Sequence, residues 1–135
     1  MGNETVLTDR QIEILKIRTC GSSQSEIADI FKTTKQNISS IERAARRKIE
    51  RAKNTIKFVK MLKAPVWIVI KENTPLDEIV EKIYAEGDDK NIHAIYDETA
   101  LTAKVEEDAK GKIRHRKALA KLEIGITEGG DVIVL

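Results

Sequence analysis

The stretch that decides the fold is residues 23–49, SQSEIADIFKTTKQNISSIERAARRKI. Ser23 and Glu26 have the spacing of a capping box, so they predict a short helix of about eight residues that begins at Ser23. A longer helix is predicted after Thr34, where apolar residues recur every three or four positions. A short helix, a tight turn and a longer helix make up the helix-turn-helix arrangement, whose second helix enters the major groove of DNA.

A third helix is predicted on the N-terminal side of this pair. Thr8 and Gln11 form a second capping box, and the helix runs to about Cys20, where Gly21 can adopt a left-handed conformation. We expect the apolar residues of the three helices to form one core. In that core Ile27, Ala28 and Phe31 pack against Ile38 and Ile41, with Ile12 and Leu15 covering the open side.

Polar and basic residues then occupy the outer face of the long helix. Side-chain types that read base edges stand near its start, namely Lys35, Gln36, Asn37, Ser39, Ser40 and Arg43. Side chains suited to phosphates precede and follow them, namely Ser22, Ser23, Gln24, Thr34, Arg46, Arg47 and Lys48. A generic three-helix bundle with a solvated basic face would carry the same pattern.

The charge distribution divides the chain into two parts. Residues 1–63 hold 14 Lys and Arg against 7 Asp and Glu, a balance of +7, whereas residues 64–135 hold 10 against 15, a balance of −5. This asymmetry indicates a basic part built for a polyanion, joined to a part that is not. We therefore predict a DNA-binding domain over residues 1–63 and a small regulatory or association domain over residues 64–135.

Residues 64–135 predict a β-α-β-α-β-β order and hence an α+β protein. Residues 66–70 are typical of a buried strand, and residues 92–96 of a second one. Helices are predicted from an N-cap at Thr74 to Gly87, and over residues 99–110. Two strand-like runs around Gly129-Gly130 predict a terminal hairpin. The basic run 110–117 is either a second phosphate contact or a solvated loop, and the loop is favoured.

Other functional classes are disfavoured by what the sequence contains. No apolar run approaches the ~20 residues of a membrane span, and no secretory signal is visible, so a cytoplasmic protein is expected. Cys20 is the single cysteine, and His93 and His115 lie too far apart for a helical ligand pair. We expect no metal, no cofactor and no catalytic residues, and therefore no enzyme.

The long helix also carries a row of apolar residues, here called the seam, which extends beyond the part of the helix that a helix-turn-helix needs to read DNA. Its apolar residues, with steps of four, three, four and three, are Ala45, Ile49, Ala52, Ile56 and Val59. This is the a/d spacing of a helix–helix contact. The partner is either the C-terminal domain of the same chain or the same helix of a second copy, and we favour a homodimer on DNA.

Residues 7–15 with Gly21 and residues 25–28 resemble the first half of the helix-turn-helix of LuxR-type regulators and sigma factor region 4. Residues 37–49 are similar to the recognition helix of that superfamily. With its α/β tail and Gly-Gly hairpin, the chain further resembles the archaeal Tfx family of DNA-binding regulators. The resemblance implies a transcriptional regulator that binds promoter DNA. In methanogens, the family is proposed to act on genes for molybdenum-dependent formylmethanofuran dehydrogenase. It assigns base reading to Lys35, Gln36, Asn37, Ser39 and Ser40.

Two alternatives stay open at this point. The C-terminal part could be a small-molecule-binding module for an effector that the sequence does not identify. The chain could also be an architectural protein that binds nucleic acid without sequence preference, in which case its affinity would depend on salt and hardly on sequence.

Overall fold

The computed structural model describes residues 4–135, which form two compact units. The first unit ends at Asn54 and the second spans Thr55–Leu135. The division falls inside the long helix, not at the predicted residue 63, because the last turns of that helix belong to the second unit. There Met61 is fully buried, and its side chain lies against Gly125. The assignment of separate roles to the two parts stays a prediction.

The first unit contains helices α1 (Asp9–Thr19) and α2 (Gln24–Ile30) and most of α3 (Lys35–Lys63). Both predicted capping boxes are confirmed. The backbone N–H of Gln11 donates to Oγ1 of Thr8 over 3.1 Å, and the N–H of Thr8 donates back to Oε1 of Gln11 over 2.9 Å. Gly21, with φ of 101°, follows α1 in the left-handed region, as expected for a helix C-terminus.

The core of the first unit consists of Ile14, Ile27, Ala28 and Ile38, with Ile17, Phe31 and Ile41 packed against it. The predicted contact of α2 with the start of α3 is confirmed. The apolar stripe predicted for α1 comprised Ile12, Ile14 and Leu15, and of these Ile14 is fully buried, whereas Ile12 and Leu15 are half-buried and do not belong to the core that they were expected to cover. All three are apolar and lie within one helical turn, so the sequence alone does not distinguish the innermost one.

The second unit contains a three-stranded sheet, a small hairpin and two helices. Its strands are β1 (Val66–Ile70), β2 (Ile113–Arg114), β3 (Lys117–Ala118), β4 (Leu122–Ile126) and β5 (Val132–Val134), and its helices are α4 (Leu76–Asp89) and α5 (Glu98–Asp108). The sheet order is β1-β4-β5, and every pair is antiparallel. The predicted terminal hairpin is confirmed as β4–β5, and the chain is an α+β protein.

The core of the second unit lies between one face of the sheet and the helices. Ile68 and Ile70 of β1, Ile124 of β4 and Val134 of β5 are buried there with Ile79 of α4. The strand predicted over residues 66–70 is confirmed as β1, but the prediction that it is buried was wrong for Trp67 and Val69, which are exposed. Successive side chains of a strand point to opposite faces of the sheet, so β1 covers the core with every second side chain only.

Residues 92–96 do not form the predicted strand. Their backbone groups bond elsewhere: the N–H of Ile92 donates to the carbonyl of Gly87, and the N–H of Ile95 to that of Gly130. The carbonyl of Tyr96 accepts from the hydroxyl of Tyr84 over 2.7 Å. Residues 92–96 are therefore an irregular segment that is held by the end of α4 and by the loop that contains Gly130.

The boundaries of α4 differ from the prediction at both ends. Thr74 does not cap it, since its hydroxyl donates to the carbonyl of Lys71, and Pro75 is the N-cap residue. Gly87 does not end the helix, which continues to Asp89. Gly87 is required instead for close approach, because a Cβ there would stand 2.7 Å from the carbonyl oxygen of Ile92.

None of the helices described within residues 4–135 has the length and apolar character needed to cross a membrane. In the same part of the chain, no group of three or more His, Cys, Asp and Glu residues is arranged to hold a metal ion.

Candidate nucleic-acid interface

The turn between α2 and α3 determines where α3 begins. It consists of residues 31–34, and Lys32 takes the left-handed conformation with φ of 53°. Oγ1 of Thr34 accepts the backbone N–H of Asn37 over 3.0 Å, so Thr34 caps α3. The helix therefore begins at Lys35, and its first turns carry the side chains predicted to read bases.

A shallow open depression of about 460 Å³ lies along these first turns. Its lining includes five of the six predicted base-reading residues together with one residue of α2: Lys35, Gln36, Ser39, Ser40, Arg43 and Gln24. Asn37 is the one that the depression leaves out. Its side-chain amide donates to Oγ1 of Thr33 over 3.0 Å and so braces the turn.

Glu42 connects all three helices beneath this surface. Its side chain is only 7% exposed. Oε1 accepts from Nε of Arg18 in α1 at 2.9 Å and from Nε2 of Gln24 in α2 at 3.0 Å. Oε2 accepts from Nε of Arg46 at 2.8 Å and lies 2.6 Å from its Nη2. A single carboxylate thus fixes α1 and α2 relative to the recognition helix.

The ionisation of Glu42 is governed by the same contacts. Burial on its own raises the pKa of the carboxyl group. The hydrogen bonds from Gln24 and Arg46 and the charges of Arg18 and Arg46 outweigh burial, so the pKa lies below its ordinary value of 4.5. The carboxylate is therefore ionised at neutral pH and holds its two arginines as charge-assisted pairs.

The predicted phosphate-contacting residues fall into two groups. Some already have structural contacts: the hydroxyl of Ser23 caps α2, the carbonyl of Ser22 accepts from Nη1 of Arg18, and Nζ of Lys48 donates to Oε1 of Gln11 over 3.0 Å. Thr34, Gln24 and Arg46 belong to this group as well. Arg47 is exposed on the outer surface of α3.

Sequence reasoning missed Gln11, Arg18 and Glu42 as the residues that hold the surface together. The sequence did contain a sign of this role for Glu42. Glu42 is the one acidic residue between Lys35 and Lys48, and it stands four positions before Arg46, the spacing of an intrahelical ion pair. The contacts of Arg18 and Gln11 with α3 span 24 and 37 residues, and nothing local marks them.

Comparisons with known proteins identify the family of this chain. Residues 52–134 match the family described as the C-terminal part of the DNA-binding protein TFX. The chain is 42% identical to the DNA-binding protein Tfx of Methanothermobacter marburgensis over 99% of its own length and 97% of that protein. Identity and coverage are the same for the DNA-binding protein Tfx of Methanothermobacter thermautotrophicus.

A Methanocaldococcus jannaschii protein whose name assigns it to transcriptional regulation is 37% identical, over 99% of this chain and 98% of that protein. These similarities extend across both compact units, including the helix-turn-helix that precedes residue 52. The chain therefore belongs to the Tfx family of DNA-binding proteins and transcriptional regulators.

Proposed function

We propose that this chain is a sequence-specific regulator that reads promoter DNA in the cytoplasm with the N-terminal turns of α3. The observation that carries the proposal is the depression that joins Gln24 to five polar and basic residues of α3. Gln side chains can pair with adenine, and Arg and Lys with guanine, so this surface carries the donors and acceptors of direct readout.

The network around Glu42 supports a reading function over general charge attraction. Direct readout needs side chains that are held in place, because a displaced donor loses its base. Glu42 holds Gln24 and Arg46 at the rim of the recognition helix, while Arg18 and Lys48 bind α1 to it.

Binding selection from random duplexes at two salt concentrations tests the proposal. A sequence-specific regulator should prefer its selected site over random DNA by a factor of ~10³ or more, at both salt concentrations. An architectural protein would instead lose affinity with salt while sequences stay nearly equal. Family resemblance supplies a candidate site, the promoter of genes for molybdenum-dependent formylmethanofuran dehydrogenase, with a scrambled duplex of equal composition as control.

The proposal includes a homodimer on DNA, built from the C-terminal half of α3. Of the ten exposed large apolar side chains in residues 4–135, four lie in this half of α3 and two more in β1. We name these six residues the apolar patch: Ile56, Phe58, Val59, Leu62, Trp67 and Val69. Such a concentration marks an association surface in a protein whose other apolar residues are mostly buried.

The predicted seam contributes to the patch with its second half only. Ala45 is fully buried within the first unit, while Ile56 is 56% exposed and Val59 43% exposed. In the alternative, the C-terminal domain of the same chain covers the end of the helix. Met61 makes that contact, since its side chain lies against Gly125. Ile56 and Val59 thus keep a surface for a second copy, and a two-fold pair would present two recognition helices to successive turns of DNA.

Sedimentation of the full chain with and without the selected duplex tests the dimer. Two chains per duplex are expected, whether the free protein is a monomer or a dimer. One chain per duplex, at concentrations that saturate the site, would contradict it.

A further inference from the structure

The second unit contains a concentrated basic segment that the recognition helix does not explain. Residues 110–121 hold six Lys and Arg and no Asp or Glu. They account for six of the ten basic residues in residues 64–135, so the remaining sixty residues carry 4 basic and 15 acidic side chains, a balance of −11. A scattered solvated surface would not place most of its cations in one sixth of its length.

The structure makes this segment a short, anchored hairpin. Strands β2 and β3 pair Arg114 with Lys117 across a two-residue turn, and Ile113 and Ala118 are buried in the core. Backbone bonds tie the hairpin to the start of α4: the N–H of Leu76 donates to the carbonyl of Arg116 over 2.8 Å, and the N–H of Ala118 to that of Thr74 over 2.9 Å. The predicted loop is therefore a hairpin whose cationic side chains are exposed.

The turn itself is built from unexpected residues. His115 and Arg116 have φ of 52° and 58°, so both central residues are left-handed. Tight hairpin turns of this kind strongly prefer Asn-Gly, because other side chains are strained there. A turn that keeps His and Arg at such positions points to a use for the side chains, since the fold would be better served by Asn and Gly.

We propose that the β2–β3 hairpin is a second phosphate-binding surface, which contacts DNA beyond the bases read by α3. This inference rests on the proposed function. Lys112, Arg114, Arg116 and Lys117 supply the contacts, and Arg116 also pairs with Asp77 over 2.7 Å. The other sixty residues of the range 64–135 are acidic in balance and would be repelled by DNA, so the compact cationic hairpin gives this part of the chain a surface that DNA attracts.

The test uses the full chain, the selected duplex with flanks of increasing length, and a series of salt concentrations. Arg114→Gln with Lys117→Gln removes two cations, and Lys71→Gln with Lys82→Gln is the matched control, since both of its lysines are exposed on the same unit. Each lost phosphate contact lowers the slope of log affinity against log salt by about 0.9. We expect a fall of about two on the long duplex for the hairpin pair and no change for the control.

A second variant separates folding from binding. His115→Asn with Arg116→Gly installs the preferred turn, so it should melt no earlier than wild type and still bind the long duplex with a smaller salt slope. Equal slopes for wild type and both hairpin variants would overturn the inference. Arg47→Ala, measured in parallel, keeps the two proposals apart: if it alone weakens binding, the hairpin proposal fails while the recognition helix stands.

Discussion

Replacing Glu42 should weaken the first unit more than any other single change of charge there. In Glu42→Ala, Arg18 and Gln24 each lose an acceptor inside the helix junction, and Arg46 loses both of its contacts. Arg18 is 34% exposed and Arg46 61% exposed, so water replaces much of what they lose.

We assign about 1.5 kcal/mol to the half-buried charged bond of Arg18, about 1 kcal/mol to the bond of Gln24 and about 0.5 kcal/mol to the exposed pair with Arg46. Glu42→Ala should therefore lower the free energy of unfolding by about 3 kcal/mol. Glu42→Gln keeps an acceptor oxygen and the side-chain shape, so about half of that loss is expected.

Urea unfolding followed by circular dichroism at pH 7 measures these losses. The matched control is Glu13→Gln, which makes the same charge change at an exposed position of α1 and should shift the transition by less than about 0.5 kcal/mol. If Glu42→Gln behaves like Glu13→Gln, the network does not hold the helices together and our reasoning about the surface is refuted.

The same carboxylate makes stability depend on pH in a defined direction. Because the folded-state pKa of Glu42 lies below the ordinary 4.5, its stabilising effect is complete above that value and is lost as the pH falls through the folded pKa. Unfolding free energy measured from pH 6 down to pH 3 should therefore fall more steeply in the wild type than in Glu42→Gln. Parallel curves would contradict the assignment.

Four further changes test the remaining parts of the chain. Gln36→Ala should cost ~1–3 kcal/mol on the selected site and little on random DNA in equilibrium binding, since it removes a base-reading group; equal losses on both would assign it to phosphate or to the fold. Arg47→Ala should weaken binding to every duplex alike and lower the salt slope by about one, and an unchanged slope would remove it from the interface. Ile56→Asp should leave stability within about 0.5 kcal/mol, because the position is 56% exposed, yet reduce two chains per duplex to one in sedimentation; a chain that unfolds instead would make the seam internal. Gly130→Ala should cost about 2 kcal/mol or more in urea unfolding, because φ is +86° and the new Cβ meets a backbone carbonyl, whereas Gly129→Ala, which meets nothing closer than 4.0 Å, should be nearly neutral.

The sequence by itself determined the elements whose causes are local. Capping boxes at Thr8 and Ser23 start their helices with residues three positions apart, and the apolar period from Ile38 onward needs no information from elsewhere in the chain. The Gly129-Gly130 turn joins strands that are neighbours in sequence, so β4–β5 was predictable for the same reason. Spacing along one helix also grouped five of the six predicted base-reading side chains around the depression, and their reading role stays a prediction.

Only the tertiary structure decided the features that depend on distant partners. β1 pairs with β4, more than fifty residues later, and only one face of β1 lies on the core, so Trp67 is exposed although the sequence of β1 is typical of a buried strand. Residues 92–96 form hydrogen bonds to Gly87 and Gly130 and do not pair as a strand. Glu42 joins the helices because it contacts Arg18, which lies 24 residues away in the sequence. Periodicity reports which side chains are apolar, whereas the identity of the group that covers them is a property of the folded chain.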